Sequence, residues 1–148
     1  NHILTDFSDP GKEAVINILV DQFKGDGRVN DIEKVRASVL ERERMMSTGV
    51  GKGFAIPHGK TDGTNEMIGA FARLPEPIDF KALDEQPVNL VFLLVGKEKA
   101  VGPHIKMLSR ISRLMNNDEF RIKLSSTDDS EEIYKLFQQE EKRFLEIQ

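Results

Sequence analysis

Two of the histidines in this 148-residue chain stand beside proline and glycine. His58 follows the short apolar segment Phe54-Ala55-Ile56 and Pro57, and Gly59 comes next. Because proline has no N–H to continue a β-ladder, the sheet is expected to stop at Pro57 and to leave His58 at a strand end. With an unperturbed pKa of about 6.5, imidazole has a neutral, nucleophilic nitrogen at cellular pH. The pattern therefore makes His58 a candidate reactive group, and the alternative is a surface loop that carries an incidental histidine.

The second candidate, His104, lies in the segment Gly102-Pro103-His104, which opens a predicted helix after the apolar run from Leu90 to Val95. A helix start has unpaired N–H groups and the positive end of the macrodipole, so it favours an anion and keeps a nearby imidazole neutral. Ligands gather at the carboxyl ends of strands in open α/β sheets, so His58 and His104 are expected to share one pocket. The alternative is that His104 only helps to cap its own helix.

Helical and strand patterns alternate around these two histidines. The predicted elements, in chain order, are a helix from an Asp9-Pro10 cap to Gly25-Asp26-Gly27, a helix from an Asn30/Glu33 capping box to about Arg44, strands at 54–56, 67–72 and 88–95, a turn at Pro75 and Pro77, and helices at 103–115, 117–124 and 130–147. The strand at 88–95 is too uniformly apolar to have one wet face, so it is expected at the sheet centre, with Gly96 at its end. The predicted fold class is α/β, a three-layer α/β/α sandwich around a small mixed β-sheet.

The helix that begins near Pro103 has an amphipathic pattern. Its apolar stripe consists of Ile105, Leu108, Ile111, Leu114 and Met115, mostly opposite Lys106, Ser109, Arg110 and Arg113. We therefore expect these five apolar side chains to lie on one face of the helix.

Composition excludes several classes of protein and site. The length fits one domain over 1–148, with 39% hydrophobic and 31% charged residues. The absence of cysteine excludes thiol catalysis and a zinc–thiolate cluster, and no His-Glu-x-x-His pattern occurs, so no metal or cofactor is predicted. A net charge of −4 argues against nucleic-acid binding. The apolar runs are too short to span a membrane and no signal-peptide pattern begins the chain, so a cytoplasmic protein is expected.

The segment Ser47-Thr48-Gly49-Val50-Gly51-Lys52-Gly53-Phe54-Ala55-Ile56-Pro57-His58-Gly59 resembles the signature of one enzyme IIA family. This family comprises the fructose, mannitol and nitrogen-related enzyme IIA domains of the bacterial phosphoenolpyruvate-dependent sugar phosphotransferase system. Other family positions are matched by Pro77-Ile78-Asp79-Phe80, by Gln86-Pro87-Val88, by the run Leu90 to Leu94, and by His104 with Leu108. The resemblance covers nearly the whole chain, and at His58 it outweighs the alternative of an incidental histidine.

The resemblance implies a role for each candidate residue. His58 would accept a phosphoryl group from the phosphocarrier HPr, as a tele-phosphohistidine, and pass it to a cysteine of a IIB domain. His104 would hydrogen-bond the phosphoryl group or orient the nucleophile. An arginine before the glycine loop balances the phosphoryl charge in this family; Arg42 is the best match and Arg44 its competitor. The alternative for Arg42 is a solvated ion pair with a neighbouring glutamate.

The function implied by the resemblance is that of a phosphotransferase, a phosphohistidine carrier that contacts HPr and then a IIB domain with its IIC permease. It would approach the membrane only through that complex. Gly49-Val50-Gly51-Lys52-Gly53 lacks Walker spacing and precedes a strand, so direct use of ATP is not predicted. Apolar Phe54, Met45 and Met46 are candidates for the centre of the docking surface, with a place in the core as the alternative for each. The alternative function is a nitrogen-related regulatory module whose phosphorylation state controls binding to target proteins.

Overall fold

Helices and strands alternate along the chain largely as the hydrophobic pattern predicts. The computed structural model describes residues 3–4, 11–82 and 84–147. Its elements are β1 (Ile3–Leu4), α1 (Lys12–Asp21), α2 (Ile32–Met45), β2 (Gly49–Gly51), β3 (Phe54–Ala55), β4 (His58–Thr61), β5 (Ile68–Ile78), β6 (Val88–Lys97), α3 (Val101–Met115), α4 (Asp118–Ser125) and α5 (Ser130–Ile147). The predicted Asp9-Pro10 cap lies outside the described residues, and α1 ends at Asp21, short of the predicted stop at Gly25.

The uniformly apolar strand β6 lies at the centre of the sheet. One edge of β6 pairs antiparallel with β5, and the other edge pairs in succession with β3 and β4, both parallel. The sheet extends through β2 beyond β3 and through β1 beyond β5. It is therefore mixed, as predicted, and it brings β4 and the start of α3 to the carboxyl end of β6.

Two apolar cores lie on opposite faces of the sheet in the described part of the chain. The helices α1 and α2 supply the first core with Val15, Leu19, Val35 and Val39. The helices α3, α4 and α5 supply the second with Ile111, Met115, Phe120 and Ile133. Side chains of β6 enter both cores, so this strand is buried on both faces. The predicted three-layer α/β/α arrangement is confirmed.

The prediction that the sheet stops at Pro57 is wrong. The chain leaves the ladder at Ile56 and Pro57 and rejoins it at His58, which pairs with Leu94. The Pro57 carbonyl accepts a hydrogen bond from the backbone N–H of Leu94 at 3.0 Å. Proline lacks only the donor, and the edge of β6 uses its acceptor here, so the ladder resumes in β4. His58 therefore begins a strand.

The prediction of a turn at Pro75 and Pro77 is also wrong, because β5 passes through both prolines. The ladder between β5 and β6 shifts register between Arg73, which pairs with Leu90, and Ile78, which pairs with Val88. The prolines occupy this irregular section, where the ladder requires no N–H from them.

The N-cap of α2 is the residue after the predicted one. Asp31 Oδ1 accepts hydrogen bonds from the backbone N–H groups of Glu33 at 3.1 Å and Lys34 at 3.3 Å. The Asn30 side-chain amide donates instead to Asn65 Oδ1 at 3.1 Å. A carboxylate satisfies the first N–H groups of a helix and complements its dipole, so Asp31 caps α2 and Asn30 ties the preceding loop to the loop after β4.

The helix α2 and the strand β4 lie in close contact, which sets the position of the site. A Cβ on Gly59 would lie 2.5 Å from Ser38 Oγ and 3.0 Å from the carbonyl carbon of Ser38, and one on Gly63 would meet the first turn of α2. Gly59 thus lies beside the middle of α2 and Gly63 beside its start, so β4 runs antiparallel to α2. One turn beyond Ser38, this alignment brings Arg42 beside His58.

We predict that Gly59→Ala lowers the free energy of unfolding by about 1–3 kcal/mol, because the added methyl group overpacks the contact with α2. Gly27→Ala is the matched control, since nothing lies within 4 Å of a Cβ at that position, and its expected change is below about 0.5 kcal/mol. Urea unfolding followed by circular dichroism measures both variants. Equal free energies of unfolding for Gly59→Ala and the wild type would contradict the close contact.

Candidate functional site

His58 is partly exposed and lies on the same side of β4 as Lys60. Along this strand His58 and Lys60 reach the surface, whereas Gly59 and Thr61 are buried, as the strand period of two requires. Since Gly59 packs against α2, His58 is directed to the opposite side of β4, where α3 begins.

The carbonyl group of Ile56 fixes the ring of His58. Nδ1 of His58 lies 2.9 Å from the Ile56 carbonyl oxygen. A carbonyl oxygen can only accept a hydrogen bond, so Nδ1 carries the proton and donates it. In the neutral ring the lone pair is then on Nε2. The backbone thus selects the tautomer in which Nε2 is the nucleophilic nitrogen.

His104 brings a second imidazole to the same place. Its ring centroid lies 5.7 Å from that of His58, with the two ring planes tilted by 51°. The ring packs on the backbone of β6, where a Cβ on Gly96 would lie 2.6 Å from His104 Nδ1. Gly96 was predicted to end the strand, but β6 continues to Lys97, and the absent side chain of Gly96 makes room for this ring.

The ring nitrogens of His104 are buried without hydrogen bonds. The residue is 3% exposed, and neither Nδ1 nor Nε2 has a hydrogen-bond partner among the residues that the structure describes. Most buried polar side-chain atoms in proteins are paired, and an unpaired one calls for a specific explanation. A group bound to the neighbouring His58 ring would supply the missing partner.

Ile105 is on the surface, although the apolar pattern places it on one stripe with Ile111 and Met115, which are buried. It is 60% exposed, whereas His104 occupies the inward position at the start of α3, in line with buried Ile111 and Met115. Successive helix residues are rotated by about 100°, so a helix that directs His104 inward directs Ile105 outward. The inward stripe of α3 begins with a histidine, which hydrophobic spacing does not reveal.

The structure brings Arg42, and not Arg44, to the neighbourhood of His58. Arg42 Nη1 donates to the Met46 carbonyl at 2.8 Å, at the end of α2, and its charge acts on the His58 ring. The side chain of Arg44 is exposed, with Nε 3.9 Å from Glu13 Oε1 on α1. The role of Arg42 as a balance for phosphoryl charge stays a prediction.

Both imidazoles are held in the neutral form. Burial lowers the pKa of His58, the hydrogen bond to Ile56 opposes this effect, and the charge of Arg42 lowers the pKa further. Burial also lowers the pKa of His104, and the charges of protonated His58 and of Lys60 act in the same direction. At cellular pH the lone pair on Nε2 of His58 is therefore available for bond formation.

Lys60 was missed at the level of sequence, although its spacing identifies it. Its exposed ammonium group lowers the pKa of both histidines. A strand that continues past Pro57 places residues 58 and 60 on one face. The expectation that the strand ends at Pro57 hid this relation.

Exposed apolar side chains lie at the ends of the two helices that lead to the site. Met45, which is 82% exposed, and Met46 lie at the end of α2, and Val101 and Ile105 lie at the start of α3. Phe54, the third predicted docking residue, is buried in the core of the α3 face, because β3 lies between β2 and β6. Met45 and Met46 have the predicted exposure, and Val101 and Ile105 join them.

Two further observations concern metals and membranes. Within residues 3–4, 11–82 and 84–147, no group of three or more His, Cys, Asp and Glu side chains is arranged to hold a metal ion. No helix in the same ranges is long and apolar enough to cross a membrane.

Comparisons with known proteins agree on one family. The family model described as "Phosphoenolpyruvate-dependent sugar phosphotransferase system, EIIA 2" matches residues 1–140. A nitrogen regulatory protein of Bradyrhizobium diazoefficiens is 47% identical over 96 residues, which cover 65% of this chain and 63% of that protein. The fructose-specific EIIA component of Haloferax volcanii is 37% identical over 122 residues, covering 82% of this chain and 79% of that protein. The crystal structure of the nitrogen regulatory protein IIA-Ntr from Neisseria meningitidis superposes with a TM-score of 0.81 at 30% identity, covering 91% of this chain and 92% of that one.

We predict that Arg42→Gln raises the pKa of His58, because one of the positive charges that disfavour the imidazolium is removed. Arg44→Gln is the matched control and is expected to leave that pKa unchanged. NMR titration of the ring resonances measures both variants. A pKa that rises in Arg44→Gln and stays constant in Arg42→Gln would reverse the assignment of the neighbouring arginine.

Proposed function

Because the chain belongs to the EIIA 2 family of the phosphoenolpyruvate-dependent sugar phosphotransferase system, we propose that it carries a phosphoryl group on Nε2 of His58. The donor is HPr and the acceptor is a cysteine of a IIB domain. The observation that supports this proposal most strongly is the pairing of two rings 5.7 Å apart, one with its tautomer fixed by a carbonyl and one with unpaired buried nitrogens.

The proposed transfer consists of two displacements at one phosphorus atom. The lone pair of His58 Nε2 forms a bond to phosphorus while the P–N bond of phosphorylated HPr breaks, and the donor nitrogen keeps the electron pair. A thiolate of the IIB domain then attacks the phosphorus, and the electron pair of the breaking bond returns to Nε2. Such reactions depend mainly on alignment and charge stabilisation, and no ATP enters either step.

The charges around His58 suit a phosphoryl group. The group adds roughly −1.5 to −2 charges, as on phosphorylated hydroxyl residues. Arg42 and Lys60 are close enough to depress the pKa of His58, so they also attract an anion bound there. A ring nitrogen of His104 that carries a proton gains a hydrogen bond to a phosphoryl oxygen only when His58 is modified. Such an interaction, absent before transfer, favours the phosphorylated state and the path to it.

The apolar surface around the site is proposed as the docking surface for both partners. Met45, Met46, Val101 and Ile105 stand at the ends of the two helices that flank His58. HPr and the IIB domain must present their own reacting residues to the same ring in turn, which requires an open surface. Transient complexes of this kind have small interfaces, so a few exposed apolar side chains beside the charged residues suffice.

A second candidate function is regulatory. It is favoured by the 47% identity to a protein named nitrogen regulatory protein. The segment Ser47-Thr48-Gly49-Val50-Gly51 also resembles the nitrogen-related members of the family. In this case the phosphoryl group on His58 changes the charge of the docking surface and so controls which target protein binds. A phosphorylated chain that transfers nothing to any IIB domain would favour this function. We place either function in the cytoplasm, with contact to the membrane only through a IIB domain and its IIC permease.

We predict that incubation with phosphoenolpyruvate, enzyme I and HPr gives an acid-labile modification on His58, located by mass spectrometry. His58→Ala is expected to abolish labelling and to keep the far-UV spectrum, because the nucleophile is lost and the fold is not. His2→Ala, which changes another of the three histidines in the sequence, is the control and should label normally. Undiminished labelling of His58→Ala would remove His58 from the mechanism.

The variant His104→Gln tests whether His104 acts on the phosphoryl group or on the binding of HPr. We expect this variant to slow transfer to the acceptor more than it weakens binding of HPr, because the amide does not reproduce the position of the imidazole donor. Transfer rates and HPr affinity measure the two effects. Equal losses in both would favour a general structural role for His104.

The docking surface is tested with Ile105→Ser and the matched control Ile122→Ser, since Ile105 and Ile122 are 60% and 66% exposed. Ile122 lies on α4, whose Ser125 hydroxyl binds Asn89 at the start of β6, at the opposite end of that strand from His58. Ile105→Ser is expected to weaken HPr binding about five- to tenfold, by loss of an apolar contact, and Ile122→Ser to leave it unchanged. Equal affinities of the two variants would contradict the proposed surface.

A further inference from the structure

A buried carboxylate lies directly after Arg42, outside the group of side chains that meet at the two rings. Glu43 is 5% exposed. Its Oε1 accepts hydrogen bonds from the ammonium group of Lys12 at 2.8 Å and from the backbone N–H of Thr48 at 3.0 Å. Its Oε2 accepts one from the Thr48 hydroxyl at 2.5 Å. A carboxylate withdrawn from water is tolerated only with such partners.

These contacts join three parts of the chain. Lys12 belongs to the first turn of α1, Glu43 to the last turn of α2, and Thr48 to the segment that leads into β2. The charge of Lys12 balances that of Glu43. The ion pair therefore satisfies the buried carboxylate that holds Thr48.

Thr48 is connected to the nucleophile through two backbone groups. The carbonyl oxygen of Thr48 accepts a hydrogen bond from the Ile56 N–H at 3.1 Å. The carbonyl oxygen of the same Ile56 residue accepts the hydrogen bond from His58 Nδ1 at 2.9 Å. Thr48 thus helps to fix Ile56, together with the pairing of Ala55 and Pro57 with β6. Ile56 in turn fixes the orientation and tautomer of the His58 ring.

We propose that Glu43 is a positioning residue for phosphoryl transfer: it anchors Thr48, and through Ile56 it holds His58 in the tautomer that leaves Nε2 free. The inference rests on the proposed function of His58 and adds a residue with no contact to the reacting atoms. The same anchor fixes the last turn of α2, which carries Arg42. Misplacement of a reacting group by about 1 Å lowers a transfer rate by about a hundredfold, so an anchor of this kind has a measurable effect.

The experiment compares Glu43→Ala with Glu43→Gln in two measurements: the rate of label transfer from phosphorylated HPr, and the tautomer of the unphosphorylated His58 ring by NMR. Glu43→Ala removes every acceptor that holds Thr48, so the rate is expected to fall about tenfold or more and the ring to lose its exclusive Nδ1–H form. The glutamine amide accepts from the Thr48 N–H and donates to its hydroxyl. Glu43→Gln is therefore expected to retain the tautomer and most of the rate.

Arg36→Met is the matched control, because it removes an ion pair between α1 and α2 and so tests whether lower stability alone changes the transfer rate or the tautomer. Arg36 Nη2 binds Asp21 Oδ1 at 2.6 Å, and the Arg36 side chain is as deeply buried as that of Lys12. This ion pair also joins α2 to α1 but makes no contact with Thr48. Arg36→Met is expected to lower the urea midpoint and to leave the transfer rate and the tautomer of His58 unchanged.

Wild-type rate and tautomer in folded Glu43→Ala would overturn the proposal, and so would equal losses of both in Arg36→Met. If Glu43→Ala does not fold, Thr48→Val, which lacks only the hydroxyl bond, must shift both readouts in the same direction for the proposal to stand. If the wild type accepts no label from HPr, the proposed function fails. The tautomer comparison still tests the positioning role in that case.

Discussion

The hydrogen bond between His58 Nδ1 and the carbonyl of Ile56, 2.9 Å long, is the interaction on which the rest of the site depends. The acceptor belongs to Ile56, which lies between the paired residues of β3 and β4. The chain then rejoins β6 at His58. Strand pairing therefore fixes the backbone of His58, and the Ile56 carbonyl fixes its ring. A ring placed in this way needs no reorientation before the proposed transfer.

The ring of His104 fits against β6 because residue 96 is a glycine. Gly96 has no side chain where His104 packs, and a Cβ there would lie 2.6 Å from Nδ1. Burial keeps the pKa of His104 low and leaves both nitrogens without partners in the described residues. Leaving polar atoms unpaired costs stability, on the order of 1–3 kcal/mol for each group. The proposed phosphoryl group on His58 would give one of these nitrogens a hydrogen-bond partner and so reduce that cost in the modified state.

The parts of the fold that depend on local pattern could be predicted from the sequence. The run from Leu90 to Val95 within β6 is apolar at every position and lies at the sheet centre, and the glycines and prolines around His58 and His104 identify both histidines. Other features depend on partners distant in sequence. Pro75 and Pro77 fit within β5 because its register to β6 shifts there, and Ile105 is exposed because His104 takes the inward position. In the sequence, Glu43 is one of several charged residues of a helix. Its burial depends on Lys12 and Thr48, which only the fold brings beside it.

The most direct test of this account locates phosphorus on the ring. In protein with nitrogen-labelled histidine, phosphorylated through enzyme I and HPr, the one-bond coupling between phosphorus and nitrogen identifies the modified atom. The account predicts coupling to Nε2 of His58 with the proton retained on Nδ1. Coupling to Nδ1, or to either nitrogen of another histidine, would contradict it, because the Ile56 carbonyl would then not have selected the nucleophile.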